Sequence, residues 1–457
     1  MTIAVRPQSG PTRGYRFPRF ERRQLDNGLK LIVAPVHKLP VVTVVALVDA
    51  GAMTDPRGKE GLAQLTARAI TEGTVLYDGE ALTDSLERLG TSMDTSADWD
   101  AAMMTLTVLT GKLPEAFSHF ANVLITPTFP SASVERIKGE RIAEILQVES
   151  EPRELANEMF DSFVYAAGSR FTMPVGGTKS SISSVTRQDV SEFYAARYHP
   201  SGTTLIVVGD VDVDSIERMV AKVLYNWAGT PLNPVSVIET PARTTRAIHI
   251  VRKSDAPQSE LRVGHVSVPR THLDYFKLTV MNAILGGLFS SRINLNLREA
   301  HGYTYGAHSE FDWRRAASPF VISTAVESNV TAAALQEVLY EIDRIRNDGI
   351  TESELSLATS YLDGVFPIRF ETTSAIATAL ATLTLYNLPD DWYDTYRERI
   401  RGVTTDDVLE AVQAHIDPQR LQVVVIGSAE TIREQLEALR FGPLTMRDSN
   451  SELGSNE

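Results

Sequence analysis

Between Gly286 and Phe311 the chain reads GGLFSSRINLNLREAHGYTYGAHSEF, a run that brings together two arginines, two tyrosines and two histidines. Apolar spacing through Leu295 and Leu297 predicts a helix that ends near Ala300, with Gly302 at the left-handed position just beyond it. A strand is expected next, carrying Tyr303, Tyr305, Ala307 and Ser309 on one face. Arg298 then stands in the last helical turn and Tyr305 early in the strand, where the two side chains could converge. The same spacing equally allows Arg298 to satisfy the last carbonyls of its helix and Tyr305 to be a half-buried strand aromatic.

Other groups that carry chemistry are scattered. The histidines are His37, His119, His199, His249, His265, His272, His301, His308 and His415, and none has another three or four residues away. No single helix therefore offers two imidazoles to a metal, and core, capping or surface roles are expected for all of them. Serine is frequent, but no G-x-S-x-G elbow, Walker loop or G-x-G-x-x-G run accompanies it. The absence of cysteine excludes disulfides, thiolate metal sites and cysteine nucleophiles.

The elements that must position these groups repeat. Val185 to Gly209, VTRQDVSEFYAARYHPSGTTLIVVG, aligns without a gap with Val403 to Gly427, VTTDDVLEAVQAHIDPQRLQVVVIG. Each copy reads as a Thr-capped helix, a proline break and a buried strand ending in glycine. The chain of 457 residues thus consists of two homologous halves. Residues 1–20 form an N-terminal arm, 21–228 the first half, 229–243 a Pro-rich linker, 244–440 the second half and 441–457 a polar, flexible tail.

In the first half strands are expected at Leu31–Pro35, Val41–Ala50 and Ala101–Leu109, with helices around Glu60–Thr74, Ala81–Leu89 and from Leu113 onward. In the second half strands fall at Ala247–Arg252 and Leu261–Ser267, after Gly302 and around Phe320–Ala325. The fold class is α+β, each half a mixed or antiparallel sheet backed by helices. The helix within EGLAQLTARAITEGT, residues 60–74, turns Leu62, Leu65 and Ala69 to one face. Gln64, Ala67 and Arg68 fall together on another, a chemically blank patch.

At 43% apolar and 22% charged residues the chain is globular, and no run of about 18 apolar residues could span a membrane. A net charge of −14 argues against non-specific binding to nucleic acid or anionic lipid. The opening residues lack the pattern of a signal peptide, so the expectation is a soluble protein, cytoplasmic as it stands or periplasmic if this is a mature form.

Four stretches, taken in order, resemble the insulinase/pitrilysin-type zinc peptidases and in particular their short, processing-peptidase-like bacterial branch. They are LDNGLKLIVAPVHKLPVVTVVALVDAGAMTDPRGKEGLAQLTARAITEGT, GTSMDTSADWDAAMMTLTVL, SSRINLNLREAHGYTYGAHSEF and VTRQDVSEFYAARYHPSGTTLIVVGDVD. In that family the segment matching Gly61–Thr74 carries H-x-x-E-H, two zinc ligands around a general base, and a later glutamate completes the site. The resemblance lays the first ligand on Gln64, the base on Ala67, the second ligand on Arg68 and the distal ligand on Glu144. Only Glu144 keeps its chemistry, and it becomes a partner for Arg68 or a solvated helix residue. An amide, a methyl and a fixed positive charge cannot hold catalytic zinc, so no cofactor is expected in this chain.

The family's L-R-E-x-x-G-x-x-Y pattern falls on Leu297, Arg298, Glu299, Gly302 and Tyr305, and implies that Arg298 and Tyr305 reach across a clamshell to the zinc site of the opposite lobe. There they would bind substrate and steady an oxyanion. The resemblance therefore implies one half of a clamshell: a non-catalytic subunit of a heterodimeric zinc peptidase. The zinc is expected in a homologous partner, and the substrate is a peptide or unfolded protein. The alternative it leaves open is a structural scaffold subunit with no role in proteolysis.

Overall fold

A computed structural model of the chain describes residues 14–229 and 242–448. Its strands are β1 (Glu21–Gln24), β2 (Lys30–Pro35), β3 (Val41–Val48), β4 (Met93–Ala97), β5 (Ala102–Leu109), β6 (Thr203–Gly209), β7 (Ala247–Arg252), β8 (Ser259–Val266), β9 (Ala307–Phe311), β10 (Pro319–Val326), β11 (Gln422–Gly427) and β12 (Leu444–Asp448). They form two six-stranded sheets, ordered β1-β2-β6-β3-β5-β4 and β12-β7-β11-β8-β10-β9. Both are mixed. β2 runs parallel to β6, and β7 parallel to β11 and β12, while the other neighbours are antiparallel.

The internal repeat has a physical basis at its caps. Thr186 and Thr404 each open a helix, Arg187–Arg197 and Thr405–His415, with reciprocal bonds to the aspartate three residues on. Asp189 N donates to Thr186 Oγ1 at 3.2 Å and Thr186 N to Asp189 at 2.7 Å; the second copy shows 3.1 and 3.0 Å. Two orphan amide donors are thus satisfied in each copy, which requires Thr and Asp in that register. The strands that follow, β6 and β11, are buried along their whole length.

Strands β2, β3, β6, β7, β8, β10 and β11 are buried on both faces, so their apolar runs are near-continuous, whereas β4, β5 and β9 alternate. Leu31 and Val33 point into one core while Ile32 and Ala34 point into the other. That second face is covered by an exchange between halves. Helix Thr373–Leu385, from the second half, lies on β3 and β6, and helix Pro152–Val164, from the first, lies on β8 and β11. Polar pairs lock the exchange: Thr43 Oγ1 meets Thr373 Oγ1 at 2.8 Å, Asp161 accepts from Arg314 at 2.6 Å, and Arg315 pairs with Asp49 at 2.7 Å. Sequence reading treats the linker as the single connection between halves; the exchanged helices add a second, packed one.

One expected boundary lies outside the described residues and another needs correction. The expected linker, 229–243, falls almost wholly outside the described residues, which resume at Ala242, where an isolated bridge joins it to Tyr165. The tail expected to be flexible from Phe441 instead buries Phe441 and adds β12 to the sheet edge. Leu444 and Met446 pack on the core, and Thr445 bonds to buried His249 at 2.8 Å. Polar composition concealed that alternation. The arm also docks: Phe17 packs on Phe370 and Tyr393, with ring centroids 5.2 and 4.7 Å apart.

Candidate functional site

Helix Leu62–Ala69 is anchored from a distance. Asp55, fully buried at its side chain, accepts from the backbone N–H groups of Gly61 and Ala63, both at 2.8 Å, and pairs with Arg170 at 3.0 Å. Its carboxyl is pushed up to about 6 by burial, against the pull of Arg170 and the two amides. Gly61 itself adopts φ +95°, and a Cβ there would meet Gly176 O at 2.6 Å, so the approach to this helix demands glycine.

The blank patch resolves into an ionic plug. Arg68 donates from both terminal nitrogens to the two oxygens of Glu144, at 2.8 and 2.9 Å. Arg141, one turn before Glu144 on helix Ser131–Ser150, adds a bond at 3.2 Å and reaches Glu158 at 3.3 Å and Gly176 O at 3.0 Å. The Arg68 hydrogen bond, helped by Arg141 against a smaller burial effect, holds Glu144 below its ordinary value. Burial, opposed by Arg141, raises Glu158. Gln64 donates to Ala97 O, at the end of β4, at 3.2 Å. Ala67, on the same helix face, is 2% exposed and packs in the core.

These residues do not fit zinc. Glu144, the one retained acidic position, has both oxygens committed to guanidinium groups, and Arg68 lies where a cation would have to approach it. The sequence identified Glu144 and Arg68; it missed Arg141 and Glu158, although Arg141 precedes Glu144 by one helical turn.

In the second half the expected helix is present in an altered form. Helix Tyr275–Asn282 widens into π-type turns at Ala283–Gly287, and a short turn, Arg292–Asn294, runs into another at Leu295–Ala300. Such widened turns recur at functional sites. His301 N donates to Asn296 O at 3.1 Å, Tyr303 N donates to Leu297 O at 2.8 Å, and Gly302 takes φ +65° as expected.

The strand, however, begins at Ala307 and not at Tyr303. Asn294 accounts for this: it accepts from Ala307 N at 3.1 Å and donates to Phe289 O at 2.6 Å, while Thr304 Oγ1 turns back on Gly306 O at 2.9 Å. The intervening residues form a loop. Tyr303 is half-buried against His301, and Tyr305 stands at the loop's exposed face, 95% accessible. The expectation that the two tyrosines share a strand face is therefore overturned.

Arg298 lies over the ring of Phe289, 4.6 Å from its centroid, with Nη1 3.2 Å from Glu299. That nitrogen is shielded from solvent yet makes no hydrogen bond among the described residues. Tyr305 and Phe289 line a cavity of about 730 Å³ beside β9, floored by Arg262, Ser323 and Val321 and walled by Asn157 and Phe160 of the exchanged helix. Arg298 is not part of that lining. No hydrogen bond joins Arg298 to Tyr305 among the described residues; Phe289 stands between their roles. β9 is the last strand of its sheet, so its outer edge offers unpaired backbone groups next to the cavity.

Known proteins align with this architecture over most of its length. The family model described as insulinase (peptidase family M16) matches residues 32–173, and the one described as peptidase M16 inactive domain matches 184–362. An uncharacterized zinc protease of Streptomyces coelicolor is 23% identical over 89% of this chain and 89% of its own. A non-peptidase homolog, YmxG, of Helicobacter pylori is 22% identical over 86% of this chain and 90% of its own. The beta subunit of the Saccharomyces cerevisiae mitochondrial-processing peptidase is 19% identical over 91% and 93%. Among solved structures, a peptidase M16 inactive domain from Pseudomonas fluorescens superposes with a TM-score of 0.84 at 25% identity, over 90% of this chain and 98% of that one.

Proposed function

The chain belongs to peptidase family M16, the insulinase family, and from that premise we propose that it is a non-catalytic subunit of a two-chain zinc peptidase. The zinc and the general base belong to a homologous partner. This chain supplies half of a peptide-binding chamber, together with Arg298 and Tyr305. The observation that carries the reading is a contrast. Where the family pattern sets metal chemistry, a bidentate Arg68–Glu144 pair fills the space, while Tyr305 is presented bare to solvent at the mouth of a large cavity.

In such a pair the tyrosine hydroxyl would donate a hydrogen bond to the oxyanion that forms on the scissile carbonyl, and Arg298 would add a positive charge. The edge of β9 would hold an extended peptide through its backbone. Chain pairing is in keeping with the subunit named among the relatives. The name of the Helicobacter relative keeps a second reading in view, a structural subunit without any part in proteolysis.

Mixing the purified chain with an M16 relative that retains H-x-x-E-H and following cleavage of a fluorogenic peptide tests the proposal. Activity above that of the relative alone, reduced by Arg298→Ala and Tyr305→Phe, is expected. Activity indifferent to both substitutions removes the assigned role, and a lack of cleavage in every such mixture favours the scaffold.

A further inference from the structure

Three side chains that are far apart in sequence meet on the second half, away from the plug and the cavity. His272 and Asp274 sit in the turn that enters helix Tyr275–Asn282, and His415 closes helix Thr405–His415, which packs against it. His415 Nε2 lies 2.7 Å from Asp274 Oδ2, and His272 Nδ1 lies 3.8 Å from the same oxygen. The two imidazole rings are 4.7 Å apart at 77°. Ligand atoms of all three fall within 4.8 Å of one another, the one such trio of metal-ligating types among the described residues.

We propose that His272, Asp274 and His415 form a binding site for a divalent transition cation, Zn²⁺ foremost. Two imidazoles and one carboxylate are the donor set that suits zinc and its neighbours and not Mg²⁺ or Ca²⁺. Zinc bonds of about 2.0 to 2.2 Å set neighbouring donors roughly 3.3 Å apart. The 2.7 Å contact must open and the 3.8 Å contact must close by about half an ångström each, within reach of side-chain rotation.

The hydrogen-bond pattern is also suitable. Asp274 N donates to His272 Nδ1 at 3.1 Å, so that nitrogen is the unprotonated one, and its lone pair would pass from the amide hydrogen to the cation on binding. The cation would take the place of the hydrogen now shared between His415 Nε2 and Asp274. Charge favours it too. His415 is the last residue of its helix, where the backbone field attracts cations, and the full charge of Asp274 outweighs the opposing field at the start of the next helix. Lys277, a neighbouring cation on the same helix, is engaged by Asp407 at 2.7 Å and Glu410 at 3.4 Å. Side-chain exposures of 34%, 29% and 13% leave a path for entry.

This site is independent of any peptidase role. Zinc carried by the purified chain would report on these three residues and not on the plugged position at Arg68. Equilibrium dialysis of the chelator-treated full chain against ZnCl₂ is the test. One zinc per chain is expected, unaffected by excess Mg²⁺, with affinity reduced at least tenfold in His272→Ala and in His415→Ala and unchanged in Glu144→Gln. Asp274→Asn, which keeps the shape of the turn, is expected to weaken binding as well and covers the case in which a histidine variant fails to fold. Absence of zinc from the wild-type chain overturns the proposal, as does equal affinity across the variants or a loss confined to Glu144→Gln.

Discussion

Removing Arg68 tests whether the plug is a surface ion pair or a structural keystone. The fork is well formed, with bonds of 2.8 and 2.9 Å, but the two side chains are 37% and 40% exposed, so solvent screens them. Exposed pairs contribute about 0.2 to 1 kcal/mol, and bidentate geometry argues for the upper end. Arg141 remains beside Glu144 at 3.2 Å in the Arg68→Ala variant, so the carboxylate is not stranded. A double-mutant cycle of Arg68→Ala and Glu144→Ala by urea unfolding should therefore give a coupling of about 1 kcal/mol at pH 7.

The sign of its pH dependence follows from the lowered value of Glu144 in the folded state. Its contribution is full above the ordinary 4.5 and is lost as pH falls through the depressed folded value. Arg314 provides the contrast. It is 3% exposed between largely buried Asp161 and exposed Asp312, and Arg314→Ala should cost about 3 to 5 kcal/mol because it leaves the largely buried Asp161 carboxylate uncompensated. A coupling of 3 kcal/mol or more for Arg68–Glu144, or one that does not weaken as Glu144 becomes protonated in acid, would refute the reasoning from exposure.

Restoring the two imidazoles, Gln64→His with Arg68→His, should add one bound zinc per chain over the wild type, read by metal analysis; no gain would show that loss of ligands is not what emptied the position. Adding Ala67→Glu to that pair should destabilise the chain in urea by about 1 to 3 kcal/mol, because Ala67 is 2% exposed and the larger side chain overpacks the core. Acid should weaken the second half first: burial pulls His249 and His265 down to about 4, so the unfolded chain binds protons that the folded chain refuses. Stability present above 6.5 should fall by about 2 kcal/mol for each residue by pH 5, and a urea midpoint unchanged between pH 7 and 5 would contradict this.

Much of the fold was legible because inner strands such as β3, β6 and β11 are written as β-branched runs and the two capped helices repeat in register. The pattern left mixed and antiparallel sheets open, and the parallel pairs β2–β6, β7–β11 and β7–β12 make both mixed. The exchange of helices Pro152–Val164 and Thr373–Leu385 was not legible, since helical periodicity records which face is buried but not which half buries it. β12 was hidden by polar edge residues whose alternation spans only Leu444 to Asp448. At the site, Arg68, Glu144, Arg298 and Tyr305 could be singled out by position, but their surroundings could not. Asn294 decides that Tyr305 stands in a loop, through bonds to Phe289 and Ala307 that no spacing rule encodes. His272, Asp274 and His415 meet only through packing of two helices distant in sequence.

The proposed action of Tyr305 on the developing charge at a partner's zinc is read from the kcat and KM of the reconstituted pair. With wild-type and Tyr305→Phe chains mixed separately with the same H-x-x-E-H subunit, zinc content and pairing should be equal. The account predicts a fall in kcat of roughly 10² to 10³ with KM little changed, the mark of a donor used in the transition state. An unchanged kcat, with zinc and pairing intact, would contradict it.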